Sequence, residues 1–334
     1  MNKRVIVLLV LLVLAIGFYY FYTRKPLRTF STDYSDFSIT DTASIEKIFL
    51  ASARGKQVLL TRINSKWLVN EKIPADERKV NLLLQTMHDI KMRNPISEKE
   101  YNTVIKELTA SGIKVEFYTK NKLLKTIYVG QETNDKVGTY MMLDGAPTPF
   151  VTHIPGFVGY MTPRFPTEAI KWKSKLIFDV AIDEIKQVGV TFPQNPDESF
   201  VIENAAQPVL KNNSGINVTA SNNYLKFYLS SFVQMYGEAY DDLYTKVQQD
   251  SIAKLPAYCV IDLQRKNGEQ IALSLHTKKI DQRTKERYDE KGNELEIDAE
   301  KYYGFVSGEP DMIYVQQYNF GRIIKRLSEI KLMR

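Results

Sequence analysis

KVEFYTKNKLLKTIYV, at residues 114–129, and VIDLQRKNGEQIALSL, at residues 260–275, share one construction: an alternating apolar run, a Lys-Asn turn, and a second alternating run. Alternation with period two puts every second side chain on one face, which marks a half-buried strand. A short polar turn between two such runs predicts an antiparallel pair. Meeting that pair twice raises the question of whether its surroundings repeat as well.

They do. Before the first pair, Ile45, Ile48 and Leu50 start a strand, Val58, Leu59 and Leu60 a second, and Trp67, Leu68 and Val69 a third. IPADERKVNLLLQTMHDIK then predicts a helix with Asp76 as N-cap, Glu77 in the first turn, and Val80, Leu83, Leu84, Met87 and Ile90 as its apolar stripe. EKEYNTVIKELTASG predicts another, carrying Tyr101, Val104, Ile105 and Leu108 and stopping at Gly112. After the first pair come the strands GTYMMLD and TPFVT. In the second half Ile185, Val188 and Val190 begin the series again, followed by Phe200, Val201 and Ile202, then PVLKN, then a helix through Tyr224, Phe227, Tyr228, Ser231 and Met235. YYGFVSGEPDMIYV repeats YMMLDGAPTPFV, with an aromatic strand, a Gly-x-Pro turn and a strand. Matches in one order predict a tandem duplication over residues 37–167 and 168–334. The expected fold class is α+β, each copy an antiparallel sheet with packed helices. The largest addition to the second copy, at residues 278–298, mixes both charges and turns at Lys291, Gly292 and Asn293. It predicts a solvated, projecting hairpin, a position from which a partner can be docked.

The amino-terminal stretch carries a different signal. VIVLLVLLVLAIGFYYFY, residues 5–22, opens on Val5, closes on Tyr22 and holds no charge. At 1.5 Å per residue such a helix spans roughly the 30 Å of a bilayer core. Ala15, Ile16 and Gly17 resemble a cleavage site, but the aromatic residues that follow suit the headgroup layer better than a cleaved leader. Residues 1–28 therefore predict a retained membrane anchor and residues 29–36 a polar tether. Lys3 and Arg4 on one side nearly balance Arg24, Lys25 and Arg28 on the other. The short amino-terminal arm, with a Tyr-rich, disulfide-free body, favours a body outside the cytoplasm, on the periplasmic side of the inner membrane.

Composition narrows the function classes. The 334 residues suit two core-forming units. The net charge of +6 comes mostly from the five basic side chains flanking the apolar run, so the body lacks the basic excess of a nucleic-acid binder. A single cysteine, Cys259, excludes an internal disulfide and reads as a buried strand residue.

SIEKIFL, GKQVLLTRINSKWLVNEKIPADERKVNLLLQTM, IYVGQET and GTYMMLDGAPTPFV together resemble the family called domain of unknown function 4340. Its members share a strand pair ending in a Trp-containing segment, a Pro-Ala-Asp helix start and a later Val-Gly, Tyr, Gly-x-Pro series. The resemblance covers residues 37–152, and the second copy only in pattern: Trp67 becomes Pro208 and the Pro-Ala-Asp start is missing. It implies a bacterial single-pass envelope protein, of a kind found beside accessory components of gliding-type ABC export systems. It implies no functional residues.

The search for chemistry returns no catalytic, cofactor-binding or metal-binding set. His88, His153 and His276 lack a second ligand at metal spacing, and Gly-x-Ser-x-Gly and Walker patterns are absent from the sequence. Of the three, His153 stands out because it precedes a Pro-Gly turn. Glu238, Asp241 and Asp242 lack the alternating spacing of a calcium loop and read as a solvated helix end. Tyr140, Tyr224, Tyr228, Tyr302 and Tyr314 fall on strands or helix stripes, where packing accounts for them. The expectation is a non-enzymatic binding or scaffolding module, anchored in the lipid bilayer and working with an envelope protein partner. An envelope hydrolase or glycan-modifying enzyme, and a secreted domain released after Gly17, are the alternatives.

Overall fold

The strand pattern closes into a nine-stranded antiparallel sheet in each of two units, Met1–Lys173 and Ser174–Arg334. The computed structural model describes residues 34–120, 122–289 and 291–332. The expected membrane span at residues 5–22 lies outside the described residues. Among those, no helix is long and apolar enough to cross a membrane.

In the first unit the elements are β1 (Lys47–Ser52), β2 (Gln57–Ile63), β3 (Lys66–Val69), β4 (Ile73–Pro74), α1 (Glu77–Asp89), β5 (Lys91–Pro95) and α2 (Glu98–Ser111). Then come β6 (Ile113–Thr119), β7 (Lys122–Glu132), β8 (Thr139–Leu143) and β9 (Phe150–His153). The sheet order is β4-β3-β2-β1-β6-β7-β8-β9-β5. Ile48, Leu50, Val58, Leu60, Val115, Phe117, Ile127 and Val129 point to one face, where they bury the α1 stripe of Val80, Leu83, Leu84 and Met87. Each such side chain contributes roughly 1.5–3 kcal/mol of transfer free energy. Asp76 is the N-cap residue of α1, as expected, but its carboxylate makes no capping hydrogen bond and meets Arg78 Nε at 3.5 Å. The chain past Thr167 stays with this unit, since Trp172 is buried in its core and Ala75 bridges Lys173. On the opposite face α2, entered through a Ser97–Glu100 capping box, sets Val104 and Leu108 on Ile96, Tyr140 and Val151.

The second unit begins with β10 (Leu176–Phe178), β11 (Ile185–Thr191), β12 (Phe200–Glu203), β13 (Val209–Asn212), β14 (Asn217–Val218) and α3 (Asn222–Leu229). It continues with β15 (Met235–Tyr236), β16 (Ala239–Tyr240), α4 (Lys246–Ala253), β17 (Cys259–Arg265), β18 (Gln270–Lys279), β19 (Ile297–Val306) and β20 (Ile313–Gln316). It ends with α5 (Gln317–Phe320) and α6 (Leu327–Leu332). Its sheet order is β14-β13-β12-β11-β17-β18-β19-β20-β16, strand for strand that of the first unit. The two sequence pairs that open the series also share register: Val115 faces Ile127 as Ile261 faces Leu273.

Two expectations about elements change. The helix through Tyr224 stops at Leu229, and Met235 lies in β15, paired with β10. The hydroxyls of Ser230 and Ser231 both donate to the Phe227 carbonyl, at 2.7 and 3.1 Å, and Gln234 takes a positive φ of 52°. Local side-chain bonding of this kind ends a helix. The lost length is replaced from the carboxy-terminal end: Phe320, Ile323, Ile324, Leu327 and Ile330 fill the core, and the Tyr228 hydroxyl donates to the Ile323 carbonyl at 2.7 Å. In the first unit β5 is an added edge strand that the sequence does not announce, because all five of its residues are exposed.

Candidate functional site

The residues singled out by chemistry scatter. His88 is exposed on α1, 2.8 Å from Asp89, and His153 ends β9 opposite Lys91. Cys259 is buried at the start of β17, and burial pushes its thiol up to about 12, far from a reactive thiolate. His276 sits inside β18, 3% exposed, with its ring edge-on to Phe305. Ser274 Oγ lies 3.0 Å from His276 Nε2, a nucleophile-to-base distance, but Nδ1 has no hydrogen-bond partner to orient the ring. Burial lowers the imidazole pKa and keeps it neutral. The pair packs on the outer sheet face, with His276 buried and Ser274 half-buried.

The acidic trio is not a solvated helix end. Asp241 is 4% exposed and accepts four hydrogen bonds: Tyr314 hydroxyl at 2.7 Å and Leu243 N at 3.2 Å on Oδ1, Tyr244 N and Gln249 Nε2, both at 2.9 Å, on Oδ2. The Gln249 amide reaches onward to Met312 N, and the hydroxyls of Tyr244 and Tyr303 share a hydrogen bond of 3.0 Å. This network ties α4 to the outer face of the sheet. Burial, and for Tyr303 and Tyr314 their hydrogen bonds, hold both phenols well above the ordinary tyrosine range. Asp242 meets Arg283 at 2.9 Å and Glu238 meets Lys301 at 2.8 Å. Among the described residues no group of His, Cys, Asp and Glu could hold a metal ion.

The charged hairpin forms at its tip, where Asp289 Oδ1 accepts from Lys291 N and Asn293 N, and Tyr288 bridges Glu294. Its base is not solvated as expected. Lys278, 2% exposed, places its ammonium 2.9 Å from Asp281, 3.2 Å from Asp298 and 3.0 Å from Thr284 Oγ1. Burial alone would raise the Asp281 pKa; the hydrogen bond from Lys278 and the Arg283 amide bring it below the usual range. Neighbouring opposite charges make burial of a lysine tolerable.

An open recess lies in the first unit. On the outer face of the sheet, beside α2, a groove of about 540 Å³ has Ile105, Leu108 and Thr109 as one wall, Ala51, Ser52 and Ala53 as the other, and Tyr128 and Met142 along the floor. Gly130 of β7 sets the approach of α2: a Cβ there would come within 2.9 Å of the Tyr140 carbonyl and 3.1 Å of Leu108 Cδ2. Lys114, at the groove's edge, has its pKa raised by its hydrogen bond to Glu116, 2.6 Å away. Lys106 and Arg54, next in sequence to Ile105 and Ala53, are exposed.

A family model described as a domain of unknown function (DUF4340) matches residues 67–235, just over half of the chain. The chain belongs to this family. The DUF4340 match opens at Trp67 on β3, so it starts later than the resemblance seen at residues 37–152. It closes at Met235 on β15, well into the second unit. It therefore takes in α1, α2 and strands β11 to β14 of the second sheet, and leaves out the Ala51 to Ala53 wall of the groove. No curated protein and no solved structure matches.

Proposed function

We propose that this DUF4340 chain is a non-enzymatic binding or scaffolding module of the cell envelope, held in the membrane by residues 5–22 with its body outside the cytoplasm. In this reading the two units are tandem related copies, and the identical strand order of the two sheets supports it. The observation that carries the binding role is the open groove beside α2, mostly apolar in its lining, on a face the main core does not use. Its occupant is a segment of an envelope protein with apolar side chains and acidic flanks. Charge favours this choice: from Tyr34 to Lys173 the chain has twenty Lys and Arg against fifteen Asp and Glu, Lys114 lines the groove, and Arg54 and Lys106 follow its Ala53 and Ile105 in sequence. Association with a gliding-type ABC export system rests on family context.

The test is affinity capture of the full chain from membranes in mild detergent, beside an Ile105→Asp variant. The reading expects one reproducible envelope protein whose recovery drops at least tenfold with the variant. Recovery of the same proteins by both chains, or of none by either, would count against it.

A further inference from the structure

The repeated strand pair differs between the two units at its tip. Counted along the matched strands, Leu123 and Leu124 take the places of Glu269 and Gln270, and Lys122 that of Gly268. The register of β6 and β7 slips between Lys125 and Leu123 and passes over Leu124, a bulge of the kind that re-aims side chains. Among the described residues β7 pairs with β8 only from Ile127 onward, so residues 122–125 overhang the sheet on β6 alone. Leu123 is 48% exposed and Leu124 49%. Apolar residues scattered singly on a surface are ordinary. Here two adjoin at an overhanging tip, with Lys120 and Lys122 exposed beside them.

The chain enters the first unit at this same tip. Lys125 Nζ donates to the carbonyls of Asp36 and Ser38, at 2.7 and 2.5 Å. Tyr34, the first described residue, lines a recess of about 540 Å³ together with Leu123 and Leu124. Its acidic groups are engaged within the unit: Asp36 accepts from Ser38 N and Oγ, and Asp144 from the Tyr128 hydroxyl at 3.0 Å. Residues 23–33 separate Tyr34 from the apolar run that closes on Tyr22. Fully extended, such a segment reaches at most about 40 Å, at roughly 3.3–3.6 Å per residue. A membrane holding residues 5–22 is therefore close to the tip.

We infer that Leu123 and Leu124 dip into the bilayer surface that holds the anchor, with Lys120 and Lys122 at its anionic headgroups. A bilayer surface matches both parts of the tip: the leucines enter the boundary of the acyl chains while the ammonium groups stay in the headgroup layer. Two leucines and two lysines alone bind a surface weakly, but attachment to an anchor makes the contact intramolecular and raises its effective concentration. The hairpin of the second unit, farther along the chain from the anchor, carries Glu269 and Gln270 instead. The inference rests on the proposed anchor and adds a second lipid contact to it. The groove lies toward the other end of β6, at Gly112 and Lys114, where a partner can still reach it.

The experiment reconstitutes the full chain in vesicles of phosphatidylethanolamine and phosphatidylglycerol. A fluorophore is attached at Leu124→Cys or, as the matched control, at Gln270→Cys; the native Cys259 is buried. The quenchers are acrylamide in the water and nitroxides on the acyl chains. The lipid nitroxides should quench the label at 124 about fivefold more than the label at 270, with acrylamide quenching it less, and Leu123→Asp should remove the difference. Equal lipid quenching at the two positions, or no change in Leu123→Asp, in a chain that still resists alkaline extraction would overturn the inference and leave the anchor standing. A label at 124 shielded from acrylamide but not quenched from the lipid would mean that protein covers the tip, which also overturns it. Release of the chain by alkali would refute the anchor and the inference together.

Discussion

In the first unit, α2 closes the outer face of the sheet with aliphatic contact, Val104 and Leu108 against Ile96, Tyr140 and Val151. In the second, Ile252 of α4 packs on Tyr303, Met312 and Tyr314, and Gln249 of α4 joins the four hydrogen bonds that satisfy Asp241. The strand positions correspond: Tyr140 pairs with Val151 across β8 and β9, as Tyr303 pairs with Tyr314 across β19 and β20. Moving from Val151 to Tyr314 brings in a hydroxyl that must be satisfied once buried, and Asp241 satisfies it. Gly130 of β7 occupies the register of His276 in β18, since Val129 faces Met141 and Leu275 faces Gly304. One strand order thus tolerates an apolar closure and a polar one, and only the apolar closure leaves a mostly apolar groove beside its helix.

The largest effect expected from perturbing this contrast is at the hairpin base. Lys278→Met leaves Asp298 buried, and Asp281 half-buried, without their cation and should cost about 3–5 kcal/mol. Hydrogen exchange on the full chain should show faster exchange along β18 and β19, with β6 and β7 unchanged; uniform protection would mean that the charges are solvated. Next comes the closure itself. Asp241→Ala strips partners from Tyr314, Gln249 and two backbone amides and should cost about 3 kcal/mol, against roughly 1–2 kcal/mol for Val104→Ala in the aliphatic closure. Denaturant titration of both variants checks the order, and a larger loss for Val104→Ala would reverse the contrast. Gly130→Ala forces a Cβ onto α2 and should cost about 1–3 kcal/mol. Gly189→Ala, where the nearest atom is 3.8 Å away, should stay within about 1 kcal/mol of the parent.

The smallest effect concerns pH. The folded His276 has a lowered pKa, so the unfolded chain takes up its proton first as pH falls. Its contribution to stability is complete above about 6.5 and fades as pH drops toward the folded value. A His276→Phe variant should therefore lose less stability than the parent between pH 7.5 and 5.5 in parallel denaturant titrations. An identical loss would show that His276 is not the group responsible.

What was legible in the sequence follows from what controls each feature. Strands β6, β7, β17 and β18 show in the alternation of Val115, Phe117, Ile261 and Leu263, because one face of each is buried. The α1 stripe shows for the same reason. Edge strand β5 does not, since Lys91 to Pro95 bury nothing and carry no period. Lys278, Asp281 and Asp298 look like solvated charge in a charge-rich run, and their burial is settled by partners twenty residues apart in sequence. Asp241 is masked in the same way by Tyr314. The groove is a tertiary fact. The groove's walls come from β1 and α2, which no local pattern joins.

The central claim, that partner binding belongs to the aliphatic closure of the first unit, is tested most directly by photo-crosslinking in cells. A photoreactive residue is placed in the full chain either at Thr109, on the groove wall of α2, or at Ser251, exposed on α4. The account predicts a discrete crosslinked envelope protein from position 109 and none from position 251. No adduct at 109, or the same adduct from both positions, would contradict it.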